Sequence, residues 1–199
     1  MARVLVAITG ASGAIYGVRL VQRLSALDVP TEVIVSRPAR RVLAVEHDLT
    51  GDPAELLSVP GGRPLTFHDN DDVAALPASG SSAPDAMLVA PCSMGTAARI
   101  LTGVSTTLLE RAADVMLKER RPLVLMPRET PLSTLHLRNL HALSELGARI
   151  VPASPGFYFK PQGIEDLIEF VVDRALQAAG IPAPLRHPWT GVGEEDPGT

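Results

Sequence analysis

Aromatic residues make up only 4% of this 199-residue chain, and Cys92 is its single cysteine. One thiol cannot build an internal disulfide framework, which excludes the small stapled secreted scaffolds and suits a reducing compartment. No apolar run approaches the ~18 residues that a membrane-spanning helix needs, so no membrane partner is expected. Basic tracts are missing as well: 18 Lys and Arg stand against 22 Asp and Glu, a formal net charge of −4. That balance disfavours nucleic acid as a partner. No leader pattern precedes the first apolar segment, and a cytoplasmic location is expected. No His/Cys/Asp spacing suits an ion, so no metal is expected. What the chain does have is 46% hydrophobic residues, enough for one domain with a full core.

Residues 4–17 are the most informative stretch. Val4 to Ile8 form a continuous apolar run, as in a strand buried on both faces. The run breaks into Gly10-Ala11-Ser12-Gly13 and resumes as an amphipathic pattern at Val18, Leu20, Val21 and Leu24. Such a strand–turn–helix unit aims unpaired helix N–H groups at one point, where an anion binds well. Glycine lets a phosphate come close. The spacing of Gly10, Gly13 and Gly17 is not GxGxxG. A second strand, Thr31 to Val35, ends in Ser36-Arg37, with no acid at its tip for ribose hydroxyls. NAD is therefore disfavoured. The Tyr-x-x-x-Lys pair of short-chain dehydrogenases is missing too: Leu20 stands four residues after Tyr16, and Lys160 only two after Tyr158. A mononucleotide with one phosphate fits better.

Apolar runs and amphipathic stretches then alternate. Helices are expected at 13–27, 38–46, 106–120, 133–145 and 163–178, with another after Thr96. Strands are expected at 65–67, 86–90, 123–126 and 149–151. Residues 48–85, rich in Gly, Pro, Asp and Ser, read as a long loop. The fold class is α/β: a single doubly wound, mostly parallel sheet, Rossmann-like (flavodoxin-like), with helices on both faces. Residues 1–180 form that domain and 181–199 a C-terminal tail. Ligands of such sheets bind beyond the carboxyl ends of the strands. Those ends carry Gly10 to Gly13, then Ser36, then Cys92, Ser93 and Thr96, then Arg128 and Glu129, and finally Phe157, Tyr158 and Lys160. Hydroxyls at three tips plus an arginine suit a phosphate and a polar ring.

These motifs resemble the UbiX family of flavin prenyltransferases. The resemblance runs through Gly10-Ala11-Ser12-Gly13, the loop 77–84, Pro91-Cys92-Ser93-Met94-Gly95-Thr96, the segments 110–115 and 117–124, Pro127-Arg128-Glu129, and Pro155-Gly156-Phe157-Tyr158 with the helix bearing Arg174. It implies a flavoprotein that assembles into a homo-oligomer, a dodecamer. It also implies transfer of a dimethylallyl group from dimethylallyl phosphate to N5 and C6 of reduced FMN. The prenylated FMN would serve UbiD-type decarboxylases. By the same resemblance Gly10, Ala11, Ser12, Ser36, Ser93, Met94, Gly95, Thr96 and Arg128 hold FMN. Arg111, Lys118, Glu129, Tyr158 and Arg174 surround the prenyl phosphate, some across a subunit boundary. Trp189, in the tail 181–199, matches a family tryptophan that closes over the site and counts with the substrate-binding residues. Ser12, Glu46, Lys118 and Glu129 are the catalytic residues: Ser12 and Glu46 manage the proton at N5, and Glu129 acts with the phosphate as acid and base. With so few aromatics, the flavin would be held by backbone, hydroxyls and aliphatic side chains. Val73 stands where the family often has a loop aromatic.

Plainer readings stand beside these. Arg111, Asp114 and Lys118 share a helical face and would ordinarily form a solvated salt-bridge stripe. Arg174 follows Leu167, Phe170 and Val171, so it either snorkels or faces an anion. Cys92 reads as a packing residue, and His47, His68, His136, His141 and His187 as surface residues. Two other functions share the fold. A cysteine-type flavin decarboxylase needs a catalytic His after the first helix and a Pro-x-Met-Asn loop, and the chain offers Glu46-His47 and Pro127-Arg128-Glu129 there. A non-catalytic FMN carrier for a decarboxylase is the third reading.

Overall fold

Six apolar or short segments pair into one sheet in the computed structural model, which describes residues 3–49, 51–186 and 188. They are β1 (Val4–Ile8), β2 (Thr31–Val35), β3 (Thr66–His68), β4 (Ala86–Cys92), β5 (Leu123–Pro127) and β6 (Arg149–Ile150). The order is β3-β2-β1-β4-β5-β6, and every pairing is parallel. The helices are α1 (Ala14–Ala26), α2 (Arg37–His47), α3 (Pro53–Leu57), α4 (Met94–Thr102), α5 (Leu108–Lys118), α6 (Thr134–Glu145) and α7 (Ile164–Ala179).

Continuous apolar strands result because both faces of the sheet are covered. Val4, Val6, Ile8, Val33, Leu88 and Val124 pack under α1 and α7. Leu5, Ala7, Met87, Val89 and Leu125 pack under α4 and α5. Chain order reverses between β1 and β4, so the crevice beyond their carboxyl ends is the topological switch point where ligands of such sheets bind. Two features shape it. A Cβ on Gly17 would run into the carbonyl oxygen of Ala90, so glycine lets α1 lie directly against β4. Thr9, next after β1, donates from Oγ1 to the Pro91 carbonyl at 2.7 Å and accepts from the Ser93 N–H at 2.8 Å, fixing the two strand tips together.

Several boundaries differ from the sequence reading. β4 runs on through Pro91 and Cys92, α5 is shorter at both ends, and β3 begins at Thr66. The loop read over 48–85 holds the short helix α3, whose Ala54 N–H is capped by Asp52 Oδ1 at 3.0 Å with Pro53 at its first position. Two 3-10 turns follow at Leu76–Ala78 and Gly80–Ser82. The sequence reading puts His68 at the surface, and the structure corrects that. Its side chain is 12% exposed, with Nε2 2.7 Å from Glu32 Oε2, while Arg3 Nε lies 3.1 Å from the other oxygen. His47 likewise has its Nε2 buried. At the C-terminal end, the Arg186 N–H donates to Asp173 Oδ2 at 2.8 Å and ties the chain to α7. Trp189 and His187 lie outside the described residues. No helix among the described residues is long and apolar enough to cross a membrane.

Candidate active site

Two helix N-termini face the crevice between β1 and β4, and they are used differently. At α1 the chain turns through Gly13, whose φ of 94° favours glycine. The first amides of this helix do not await a ligand. Both carboxylate oxygens of Glu46, from the last turn of α2, accept from Gly13 N–H at 3.0 Å, and one also accepts from Ala14 N–H at 2.8 Å. The sequence reading assigns this turn to a phosphate, but the anion seated there is the protein's own. Burial pushes the Glu46 carboxyl up, but the Ser12 hydroxyl and the two amides outweigh it and hold it below the ordinary carboxylate range. Ser12 thus donates to an ionised carboxylate. Its carbonyl accepts from Arg128 Nε at 2.8 Å, which brings the tip of β5 to the same turn.

At α4 the first turn is open. Ser93 caps it, its Oγ accepting from Thr96 N–H at 3.3 Å and lying 3.0 Å from Thr96 Oγ1. The amides of Met94 and Gly95 have no acceptor within their own helix. Ser36 caps α2 in the same way, accepting from Ala39 N–H at 3.2 Å. Gly10, Ser36, Ser93 and Thr96 line a single cavity of about 320 Å³, together with Arg37 and Arg99. That volume lies in the range of small-molecule sites. Hydroxyl and amide donors at two helix N-termini, with two guanidinium groups, suit a phosphomonoester.

Sequence reasoning missed part of this wall. Glu110 is 3% exposed and makes a close ion pair with Arg99 Nε. Its other oxygen accepts from Thr106 N–H at 2.9 Å, Thr106 Oγ1 at 2.8 Å and Thr107 N–H at 3.1 Å. The signal was the capping-box spacing Thr107-x-x-Glu110 at the start of α5. Asn70, from the long loop, accepts Leu109 N–H on Oδ1 at 3.1 Å and closes the rim.

The residues assigned to the prenyl phosphate fall into separate groups within the chain. On α5, Arg111 pairs with Asp114 at 2.5 Å and donates from Nε to the Ala78 carbonyl at 3.2 Å. Lys118 pairs closely with Glu119, and both head groups lie over Gly80. On α7, Arg174 donates to Gln177 Oε1 at 2.5 Å. It lines a cavity of about 350 Å³ walled by Ile150, Val151, Pro152, Phe170 and Val171. The Tyr158 ring packs edge-on against Phe170, 5.8 Å between centroids. Glu129 is exposed and accepts from its neighbour Thr130 N–H at 3.0 Å. The resemblance sets Glu129 and Lys118 about one prenyl phosphate, with part of that set across a subunit boundary; among the described residues no hydrogen bond or ion pair joins the two. Val73, in place of a loop aromatic, is 49% exposed. The Cys92 thiol is fully buried, and burial pushes its pKa up to about 12, which makes it a packing group rather than a nucleophile. Among the described residues no three His, Cys, Asp or Glu side chains gather into a metal site.

The family model described as Flavoprotein matches residues 1–176. The flavin prenyltransferase UbiX of Pseudomonas aeruginosa is 48% identical over 196 residues, covering 94% of this chain and 93% of that protein. A crystal structure of AnUbiX (PadA1) in complex with FMN and dimethylallyl pyrophosphate superposes with a TM-score of 0.87 at 40% identity, over 96% of this chain and 98% of that one. A dodecameric FMN-dependent Ubix-like decarboxylase from Escherichia coli O157:H7 superposes with a TM-score of 0.86 at 41% identity, over 96% of this chain and 100% of that one.

Proposed function

From the premise that this chain belongs to the flavoprotein family and, within it, to the UbiX flavin prenyltransferases, we propose that it joins a dimethylallyl group from dimethylallyl phosphate to reduced FMN. The observation that carries the reading is the pairing at the switch point of an open hydroxyl-lined cavity with a turn that already holds an ionised carboxylate. A phosphate is provided for on one side and proton transfer on the other.

The donor set fits FMN. Ser36, Ser93, Thr96 and the first amides of α4 would take its phosphate, and Arg128 on the Ser12 carbonyl would flank its ring. Bound and reduced, FMN supplies the nucleophilic ring atoms N5 and C6. Ser12 donates a hydrogen bond to ionised Glu46, which leaves an Oγ lone pair free to take a proton from N5 as the hydroxyl proton passes to the carboxylate. The apolar wall of Val151, Pro152 and Phe170 around Arg174 suits a dimethylallyl group with its phosphate on the guanidinium. Charge developing on the departing phosphate is stabilised by cations already in place. Arg111 and Lys118 sit on α5 and Arg174 on α7, with Tyr158 packed against α7, so the full phosphate-binding set would be assembled between subunits of an oligomer such as a dodecamer. Glu129 would exchange a proton with the departing phosphate. The product would serve UbiD-type decarboxylases, and the setting would be the cytoplasm.

The test is anaerobic incubation of the full chain with reduced FMN and dimethylallyl phosphate, without added metal. A flavin heavier by one dimethylallyl unit is expected. Recovery of bound but unmodified FMN would leave a carrier and overturn the prenyltransferase reading.

A further inference from the structure

Of the two guanidinium groups lining the α2–α4 cavity, Arg99 is the braced one. Its Nε is held by Glu110 Oε1, and Nη2 donates to Thr96 Oγ1 at 3.3 Å. Nη1 donates no hydrogen bond to another described residue, and it lies 3.5 Å from where a Cβ on Gly95 would stand. The free edge of the guanidinium therefore lies along the first turn of α4, beside the hydroxyls of Ser93 and Thr96. The cavity's other cation, Arg37, is exposed and has no side-chain partner among the described residues, so it would lose its rotamer freedom on binding. Arg99 has already lost it.

Glu110 makes that brace rigid. It is 97% buried, and three donors from Thr106 and Thr107 fix the oxygen that Arg99 does not use. Burial pushes the carboxyl up, but Arg99 and the Thr106 donors outweigh it and hold it ionised, below the ordinary range. A salt bridge that served only to cap α5 would need no third partner. Here the guanidinium spans the carboxylate, the Thr96 hydroxyl and the open cavity, in the planar fork that suits phosphate oxygens.

We propose that Arg99, positioned by Glu110, is a ligand of the flavin 5′-phosphate and sets the preference of this chain for FMN over riboflavin. This rests on the placement of FMN given above, and riboflavin, which differs only in lacking the phosphate, separates the two claims. The dissociation constants of FMN and riboflavin are measured by flavin fluorescence on the full chain and its Arg99→Ala and Arg99→Gln variants, with thermal melting alongside. A lost charge-assisted contact predicts an FMN constant about 10- to 100-fold weaker in both variants and a riboflavin constant unchanged. The salt dependence of FMN binding falls as well. Gln can still donate to Glu110, so it tests the phosphate contact should Ala lower the melting temperature. Equal loss of both flavins in the Gln variant, or no loss of FMN, overturns the proposal. Wild-type protein that binds neither flavin overturns the FMN site and this inference with it.

Discussion

The N-termini of α1 and α4 point into the same crevice, each leaving a strand buried at the centre of one sheet, yet one is filled and the other open. At α1 the Gly13 and Ala14 amides hold the Glu46 carboxylate at 2.8–3.0 Å. At α4 a Ser–Thr pair rims a cavity that no described residue fills. A helix N-terminus favours an anion in either case, but a second anion on the filled one would meet like charge. The difference divides the crevice. On the proposed reading the glycine turn would position a base, and the less conspicuous Ser93–Thr96 turn would receive the ligand.

Three substitutions test that division. The largest effect is expected for Glu46→Gln, which removes the proton acceptor but keeps a side chain able to bond the amides. Turnover should fall by about 10²- to 10⁴-fold, the scale of a lost acid–base group, while FMN stays bound. Loss of FMN with turnover intact at saturation would merge the two halves. Ser12→Ala should slow prenylation by about 10- to 100-fold and leave FMN content intact, because the backbone donors survive. Complete loss of FMN with a misfolded chain would mark Ser12 as a packing residue instead. On the other side, Ser93→Ala removes a helix cap and a hydroxyl from the cavity, each worth ~1 kcal/mol. FMN affinity should drop about 10- to 30-fold, with turnover at saturating FMN nearly unchanged. A fall in turnover without a fall in affinity would contradict the assignment.

The smallest effect concerns acid stability. The Glu46 carboxyl titrates below its unfolded value. Its stabilising contribution is therefore present above about pH 4.3, the ordinary glutamate value, and is lost as pH falls through the folded value. Glu46→Gln should flatten the melting temperature against pH in that window, lowering it at neutral pH, where the wild type has the contribution, and leaving it unchanged below the folded value, where the wild type has lost it. An unaltered slope would mean that the amides do not hold the carboxylate in solution.

The sheet was legible because strands covered on both faces must be apolar throughout, as Val4–Ile8 and Leu123–Pro127 are. Helix α3 was not, since five residues carry no period, although Asp52-Pro53 is a helix start. Ser36, Ser93 and Thr96 were legible as residues at strand tips. That Glu46 crosses 33 positions to seat on Gly13 was not, because the contact depends on how α2 packs beside α1. The same holds for Arg99 with Glu110 and for Glu32 with His68, where tertiary packing brings the partners together. The cations on α5 and α7 were read as one group from resemblance, whereas the single chain keeps them in separate neighbourhoods.

A crystal structure of the full chain with FMN bears most directly on the divided crevice. The account places the phosphorus among Ser36, Ser93 and Thr96, with Glu46 still on the Gly13 and Ala14 amides. A phosphate seated on those two amides, with Glu46 displaced, would contradict it.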